Sequence, residues 1–332
     1  MPIDFVIPWV DGNDPAWRAE RCRHAAHGGD SGGDRYNDGE QRYRDWGLLK
    51  YWFRGVEMFA PWAHRIYFVT WGHVPDWLNV NHPKLKVVNH RAYIPEKWLP
   101  TFSSHCIELN LHRIEGLAEQ FVYFNDDTFL TDPTSPDDFF KDGLPRDAAI
   151  ISPIHAVRNG IRAELNDIYV INERFRKNDV IRKNFGKWFA PCYGRSLIRT
   201  LLMMPFGTFP GFYVSHLPTA YLKSTFEEVW AKVPKEIERT CGHRFRELSD
   251  VNQWLMEYWQ FATGRFCPRS PQFGAMYEGA DLSKAAADDI RHQRHKVVCW
   301  NDSPDIVDAD GVQAMMQKAF EDILPLKSSF EL

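Results

Sequence analysis

The stretch Phe121-Val122-Tyr123-Phe124-Asn125-Asp126-Asp127 decides how this chain folds. Four consecutive apolar residues leave no wet face, so the strand they form is buried on both sides. The abrupt switch to Asn-Asp-Asp places polar side chains just past the strand's end. The same design recurs at Ile3-Asp4-Phe5-Val6-Ile7-Pro8-Trp9-Val10, which runs into Asp11-Gly12-Asn13-Asp14-Pro15. Ile66-Tyr67-Phe68-Val69-Thr70 and Leu85-Lys86-Val87-Val88 read as further strands. Between them Leu49, Trp52, Phe53, Val56 and Phe59 recur at helical spacing. Ser103 and Ser104 can cap a helix whose apolar stripe is Ile107, Leu111, Ile114 and Leu117. Strands alternating with helices predict an α/β fold, a mostly parallel central sheet flanked by helices. Ligands of such sheets bind past the carboxyl ends of the strands, which puts Asp11 and Asp127 beside a site.

The second half is less regular and richer in helices. Residues 155–187 are polar and include a helix, and Gly211-Phe212-Tyr213-Val214-Ser215 is strand-like. A helix begins near Ser249-Asp250 with Val251, Trp254, Leu255 and Tyr258 inward. Lys296-Val297-Val298-Cys299-Trp300 is a last strand, and Val312, Met315, Met316, Ala319 and Ile323 mark a closing helix. Residues 25–40, rich in Gly, Asp and His, read as a mobile loop. The chain reads as one catalytic domain over 1–332, with a ligand-binding half at 1–150. An acceptor-side insert follows at 151–295, and the closing strand and helix at 296–332.

Composition narrows the class. With 40 basic and 44 acidic residues the net charge is −4, which argues against a nucleic-acid partner. There is no secretory signal and no apolar run long enough to span a membrane, so a soluble cytoplasmic protein is expected. The 13 tryptophans raise the question of ligand-facing surfaces. Trp46, Trp52, Trp62 and Trp254 fall on helical stripes or packing turns and read as core. Trp9, Trp71 and Trp300 fall at the expected carboxyl edge.

Several residue patterns suit chemistry. Asn125-Asp126-Asp127 and Asn301-Asp302 each follow a strand and offer oxygen ligands to a hard divalent cation; ordinary solvated turns are the alternative. Gly12 permits a tight turn with positive φ and close ligand approach beside Asp11 and Asn13. His105, Glu108, His112 and Glu115 read as a polar helix face opposite the apolar stripe. Arg44, ahead of a helix, is an anion-clamp candidate with a surface ion pair as the alternative, Arg113 stands beside the polar helix face, Arg246 and Asp250 stand where a helix starts, and His216 can serve as a general base. Gly-x-Ser-x-Gly, Walker A and dinucleotide-binding glycine patterns are absent.

Taken together, these blocks resemble the Stealth family of sugar-1-phosphate transferases. That family includes bacterial capsular polysaccharide phosphotransferases and the animal N-acetylglucosamine-1-phosphotransferase. The resemblance lies in Trp9-Val10-Asp11-Gly12-Asn13-Asp14-Pro15, in the long block from Arg42-Tyr43-Arg44-Asp45 to Asn125-Asp126-Asp127, in His216-Leu217-Pro218 with Arg246 and Asp250, and in Lys296 to Asp302. It implies a nucleotide-sugar-transferase-like fold (GT-A-like, Rossmann-like). It also implies transfer of a sugar-1-phosphate from a UDP-sugar to a glycan hydroxyl, with release of UMP, in capsule or cell-surface polysaccharide synthesis. His216, Asp11, Arg246 and Asp127 would be catalytic. Trp9, Gly12, Asn13, Arg44, Arg113, Asn125 and Asp126 would hold the donor and its phosphates. Asp127, Asn301 and Asp302 would hold Mg²⁺ or Mn²⁺. The location implied is the cytoplasm, with the inner face of the cell membrane an option. An ordinary glycosyltransferase releasing UDP and a glycan-binding protein without catalysis stay open at this point.

Overall fold

A computed structural model describes residues 1–25, 44–154, 161–303 and 306–332. The loop expected over residues 25–40 lies almost entirely outside the described residues. The central sheet has five strands: β1 (Ile3–Pro8), β2 (Ile66–Thr70), β3 (Leu85–Asn89), β4 (Gln120–Tyr123) and a fifth, Thr219–Leu222. Their spatial order is β3-β2-β1-β4 and then Thr219–Leu222. β1, β2, β3 and β4 pair in parallel, and Thr219–Leu222 closes the edge antiparallel to β4. The α/β expectation holds.

Alternation explains why these runs are almost wholly apolar. Phe5, Ile7, Phe68, Val122 and Phe124 enter one core, against the helix Leu49–Phe59. Val6, Tyr67, Val69, Phe121 and Tyr123 enter a second core with residues of the helices Ile161–Arg174, Lys223–Lys232 and Trp254–Thr263. Both faces are covered, as a parallel sheet requires. The expected stripe Leu49, Trp52, Phe53, Val56 and Phe59 is buried throughout.

A second, three-stranded sheet extends past β4. It joins β5 (Thr128–Leu130) antiparallel to Val297–Asn301, which pairs in parallel with Gly274–Glu278. The expected closing helix is present at Ala309–Ile323. A third small sheet pairs Leu144–Asp147 with Phe140–Lys141 and Cys267–Pro268.

Three local expectations change. The helix after Ser104 stops at Leu109, and a single 3₁₀ turn follows at Leu111–Arg113. The Asn110 side chain donates to the Cys106 carbonyl (2.8 Å), capping the helix end, and Gly116 turns the chain with φ +80°. The expected solvated face is therefore turned inward, and His105, Glu108 and His112 are buried. The segment 211–215 is no strand beyond a single bridge from Phe212 to Ile151. Gly211 there has φ +145°, and a Cβ would lie 2.5 Å from Ile154 and 2.7 Å from the Ser152 carbonyl, so only glycine fits. Trp254 is the first residue of its helix and only partly buried.

A buried acidic group lies in the second half. Glu164 accepts a hydrogen bond from the Tyr258 hydroxyl (3.3 Å), and burial pushes its pKa up to about 7 against that opposing contact. The folded state thus retains a proton that the unfolded chain releases near pH 4.5. The associated stability is full below that pH and is lost as pH rises through about 7. Glu164→Gln should flatten the loss of stability between about pH 4.5 and 7, read as urea midpoints of variant and parent. Equal slopes would overturn this account.

Candidate functional site

The parallel strands deliver their polar sequels to one edge. After β1 come Trp9, Asp11, Gly12 and Asn13; after β2 come Trp71 and His73; after β4 come Asn125, Asp126 and Asp127. The antiparallel edge strand adds the residues before it rather than after it. Because Thr219 pairs with Tyr123, the segment Val214 to Leu217 reaches the same edge. The second sheet contributes its own end: the Trp300 amide donates to the Asp127 carbonyl (3.0 Å), setting Cys299, Asn301 and Asp302 alongside.

His216 is the centre of this edge. Its φ is +48°, an uncommon conformation for a side-chain-bearing residue, of the kind that clusters at functional sites. Its Nε2 lies 3.6 Å from Asp127 Oδ2 and 3.4 Å from Asn125 Nδ2. Loss of solvent disfavours the charged ring, but the Asp127 carboxylate outweighs this and raises its pKa. Asn125 favours the opposite state, since its Nδ2 can only donate to a lone pair on Nε2. A ring whose neighbours favour both states is suited to taking up and releasing a proton.

Behind Asn125 runs a buried chain that sequence reading missed. Tyr123 Oη lies 2.8 Å from Asn125 Oδ1 and 2.9 Å from Glu108 Oε1. The Tyr123 hydroxyl faces both acceptors, with the Glu108 carboxyl on one side and Asn125 Oδ1 on the other. Burial raises the Glu108 pKa, opposed by Arg246 and by hydrogen bonds from Tyr123 and Ser104. The Tyr123 hydroxyl then donates to Asn125 Oδ1 and aims Nδ2 at His216. Arg246 Nη2 donates to Ser104 Oγ at 2.6 Å. Its loop is held by the buried Asp250 carboxylate, which meets Nδ1 of His105 (3.0 Å) and of His243 (2.7 Å) and accepts from the Glu247 amide. A cavity against this cluster is lined by Tyr123, Asn125, Ser215, His216, Trp254 and Glu257 among others.

Asp127 has the features of a cation ligand. Its Oδ1 is buried without a hydrogen-bond partner among the described residues. Asp127, His216 and Cys299 present ligand atoms within 4.8 Å of one another. The Cys299 thiol is pushed far up in pKa by burial and then by Asp127. Asp126 is open to solvent; crowding and the Asp127 charge still raise its pKa, to about 7, a shift that surrounding water screens. Asp302 is engaged elsewhere: its Oδ2 accepts from Trp46 Nε1 (3.2 Å) and lies 3.6 Å from Arg44 Nε, with Arg44 over the Trp46 ring.

The remaining candidates form a separate group or lie apart. Asp11 Oδ1 accepts from the Asn13 amide (2.8 Å), and the Asp11 amide donates to His73 Nε2 (2.8 Å). Trp9 stacks on Phe68 and meets the His73 ring edge-on. Gly12 is not among the glycines with positive φ; the turn is closed by the Asp11 side chain instead. Arg113 is not brought to this edge. It lies over the Trp230 ring and donates to Asn110, in the segment leading into the start of β4. Trp300, expected at the ligand edge, is 2% exposed and packs against Trp46, so it is core. Trp254, expected in the core, lines the cavity 6.2 Å from the His216 ring.

Comparison with known proteins adds to this geometry. Four conserved regions of Stealth proteins match the chain: region 1 over residues 1–23, region 2 over 42–147, region 3 over 215–260 and region 4 over 288–332. The capsular polysaccharide phosphotransferase WcwK of Streptococcus pneumoniae is 41% identical, over 99% of this chain and 98% of its own. The receptor polysaccharide phosphotransferase WefC of Streptococcus oralis is 40% identical, over 99% of both chains. The exopolysaccharide phosphotransferase cps2G of Lactiplantibacillus plantarum is 37% identical, over 99% of this chain and 96% of its own. Among solved structures, the galactosyltransferase LgtC with donor and acceptor sugar analogues aligns over 95% of each chain, at 12% identity and a TM-score of 0.41. Mouse xyloside xylosyltransferase 1 aligns over 90% of this chain and 97% of its own, at 11% identity and a TM-score of 0.36.

If the buried chain aims His216, removing one hydroxyl should act on the chemistry beyond its cost to the fold. Tyr123→Phe should lower kcat about tenfold, the cost of one unsatisfied buried acceptor, with KM nearly unchanged. A variant with parental kcat would remove Tyr123 from this role.

Proposed function

This chain belongs to the Stealth family, and we propose that it transfers a sugar-1-phosphate from a UDP-sugar to a hydroxyl of a glycan acceptor. The single observation that carries this reading is His216, held in a strained conformation at the sheet edge between Asp127 and the Asn125 amide. The relatives' names support an enzyme of the phosphotransferase class.

In this reading the acceptor hydroxyl loses its proton to His216 Nε2 as its oxygen attacks the β-phosphorus of the donor. The bond from that phosphorus to the bridging oxygen breaks, UMP leaves, and a sugar phosphodiester remains. Such a reaction depends on positioning and charge stabilisation more than on covalent help. Arg246, on its Asp250-held loop, stands close enough to the buried Glu108 to shift its pKa, and would steady phosphate oxygens. Arg44 would do the same from beside Asp302. Trp9, Asp11, Gly12 and Asn13 line the donor side at the end of β1, with Trp9 available for stacking on a base or sugar.

Asp127 Oδ1, without a hydrogen-bond partner among the described residues, fits a hard divalent cation, Mg²⁺ or Mn²⁺, with Asn301 and Asp302 at the neighbouring strand end as further oxygen ligands. Bound there, such a cation would neutralise the diphosphate. Asp302 would have to exchange its contacts to Arg44 and Trp46 for that role. We further assign the enzyme to polysaccharide assembly at the inner face of the cell membrane. No helix among the described residues is long and apolar enough to cross one.

The decisive experiment incubates the protein with Mg²⁺ or Mn²⁺, a panel of UDP-sugars and glycan acceptors, and identifies the released nucleotide. UMP is expected, and UDP would overturn the reading in favour of glycosyl transfer. His216→Ala should slow transfer by about 10²–10⁴-fold, the range of a lost general base. Full activity in that variant would end its assignment as base. Asp127→Asn should weaken cation binding, seen as a raised Mn²⁺ concentration for half-maximal rate and loss of Mn²⁺ binding by calorimetry.

A further inference from the structure

The most exposed apolar cluster along the chain lies upstream of His216. Ile198, Leu201, Leu202 and Phe206 are 58%, 55%, 64% and 54% exposed, and Met203 and Met204 between them are half-buried. Isolated exposed leucines need no explanation, but four large apolar side chains within nine residues do.

These residues are not a slack loop. Ile198, Leu201 and Leu202 belong to the helix Leu197–Leu202, pinned by the buried Thr200, whose hydroxyl accepts from the Ile151 amide (3.1 Å). Lys177, wholly buried, donates to the carbonyls of Met203 (2.7 Å) and Met204 (3.0 Å). Folding thus fixes this segment with its apolar side chains outward.

The charge pattern names the partner. From Val180 to Phe226 the sequence contains no Asp or Glu, although 44 occur in the chain, and it carries Arg182, Lys183, Lys187, Arg195, Arg199 and Lys223. Arg195 and Arg199 are exposed and bracket Ile198. Apolar side chains among arginines, without acids, match an anionic lipid interface. There the aliphatic groups enter the headgroup boundary and the guanidinium groups reach phosphates. A second copy fits poorly, since a two-fold interface would set Arg195 and Arg199 of this acid-free segment against the same segment of the partner copy.

We propose that the segment 195–206 docks the protein onto an anionic membrane surface. From this surface the chain runs through the buried Phe209 and Phe212, which pack on Trp188, to Val214, Ser215 and His216 at the cavity. The docked face therefore lies about ten residues along the chain from the proposed base. Its assignment to the acceptor side rests on the proposed transfer reaction; the docking itself does not.

Co-flotation of the full chain with vesicles tests the docking without donor or acceptor. The protein should float with equimolar phosphatidylcholine and phosphatidylglycerol, and not with phosphatidylcholine alone. Combining Leu201→Ser, Leu202→Ser and Phe206→Ser should reduce the bound fraction at least about tenfold. Arg195→Glu with Arg199→Glu should reduce it by about fivefold per arginine, while high salt weakens the parent. Thermal melts and transfer to a soluble acceptor should match the parent in both variants. The proposal is overturned if the parent fails to float with anionic vesicles, if it floats equally with neutral ones, or if the apolar variant floats like the parent. A parental dimer that Leu201→Ser dissociates would overturn it too, assigning the face to self-association. Absence of UMP release would count against the transfer reading alone.

Discussion

The antiparallel pairing of Thr219–Leu222 with β4 is the constraint on which the site depends. Parallel strands bring to an edge only the residues on their carboxyl side. Reversing one strand lets the edge collect residues from the amino side as well, and this is how His216 meets Asp127 although the two lie far apart in sequence. The pairing of β5 with Val297–Asn301 does the same for Cys299 and Asp302. Hydrogen-bonded ladders tolerate no half-register, since a one-residue slip moves every side chain to the other face. The relative placement of these side chains is therefore set by backbone pairing before any of them makes a contact.

Electrostatics then refines the arrangement that the backbone has placed. Glu108, Asp126 and Asp302 all have carboxyl pKa values raised, with burial or crowding the largest cause each time. Such a site holds several acids without a matching set of cations. Burial or crowding raises their pKa values, Asp302 is tied to Arg44, and one oxygen of Asp127 has no hydrogen-bond partner among the described residues. An anionic donor brought with a cation suits that arrangement better than a neutral sugar alone, because charge is already unbalanced there.

Much of the fold was legible in the sequence because two-sided burial leaves a plain mark. The runs ending at Pro8, Thr70 and Tyr123 admit little besides strands, and the stripe from Leu49 to Phe59 little besides a helix. The acids past the strand ends followed from sheet geometry alone. Less legible was anything decided by distant partners. Glu108 looked like part of a wet helix face, because nothing local announces that Asn110 will end the helix and that Tyr123 will receive the carboxyl. Trp254 and Trp300 exchanged roles for the same reason: a helix's first turn can open onto a cavity, and a strand end can be roofed by Trp46. The left-handed backbone of His216 had no local signal, since glycine is the usual marker of such a conformation and histidine occupies it here.

The hydrogen bond from the Trp300 amide to the Asp127 carbonyl has a consequence for the order of synthesis. A ribosome makes the central sheet's parallel strands first, His216 next, and Val297–Asn301 near the end. Until that last strand pairs with β5, the backbone beneath Asp127 lacks its support and Cys299, Asn301 and Asp302 are missing from the edge. A nascent chain could already form the turn at Asp11 while lacking the finished edge. Completion of this edge therefore waits on the pairing of Val297–Asn301 with β5.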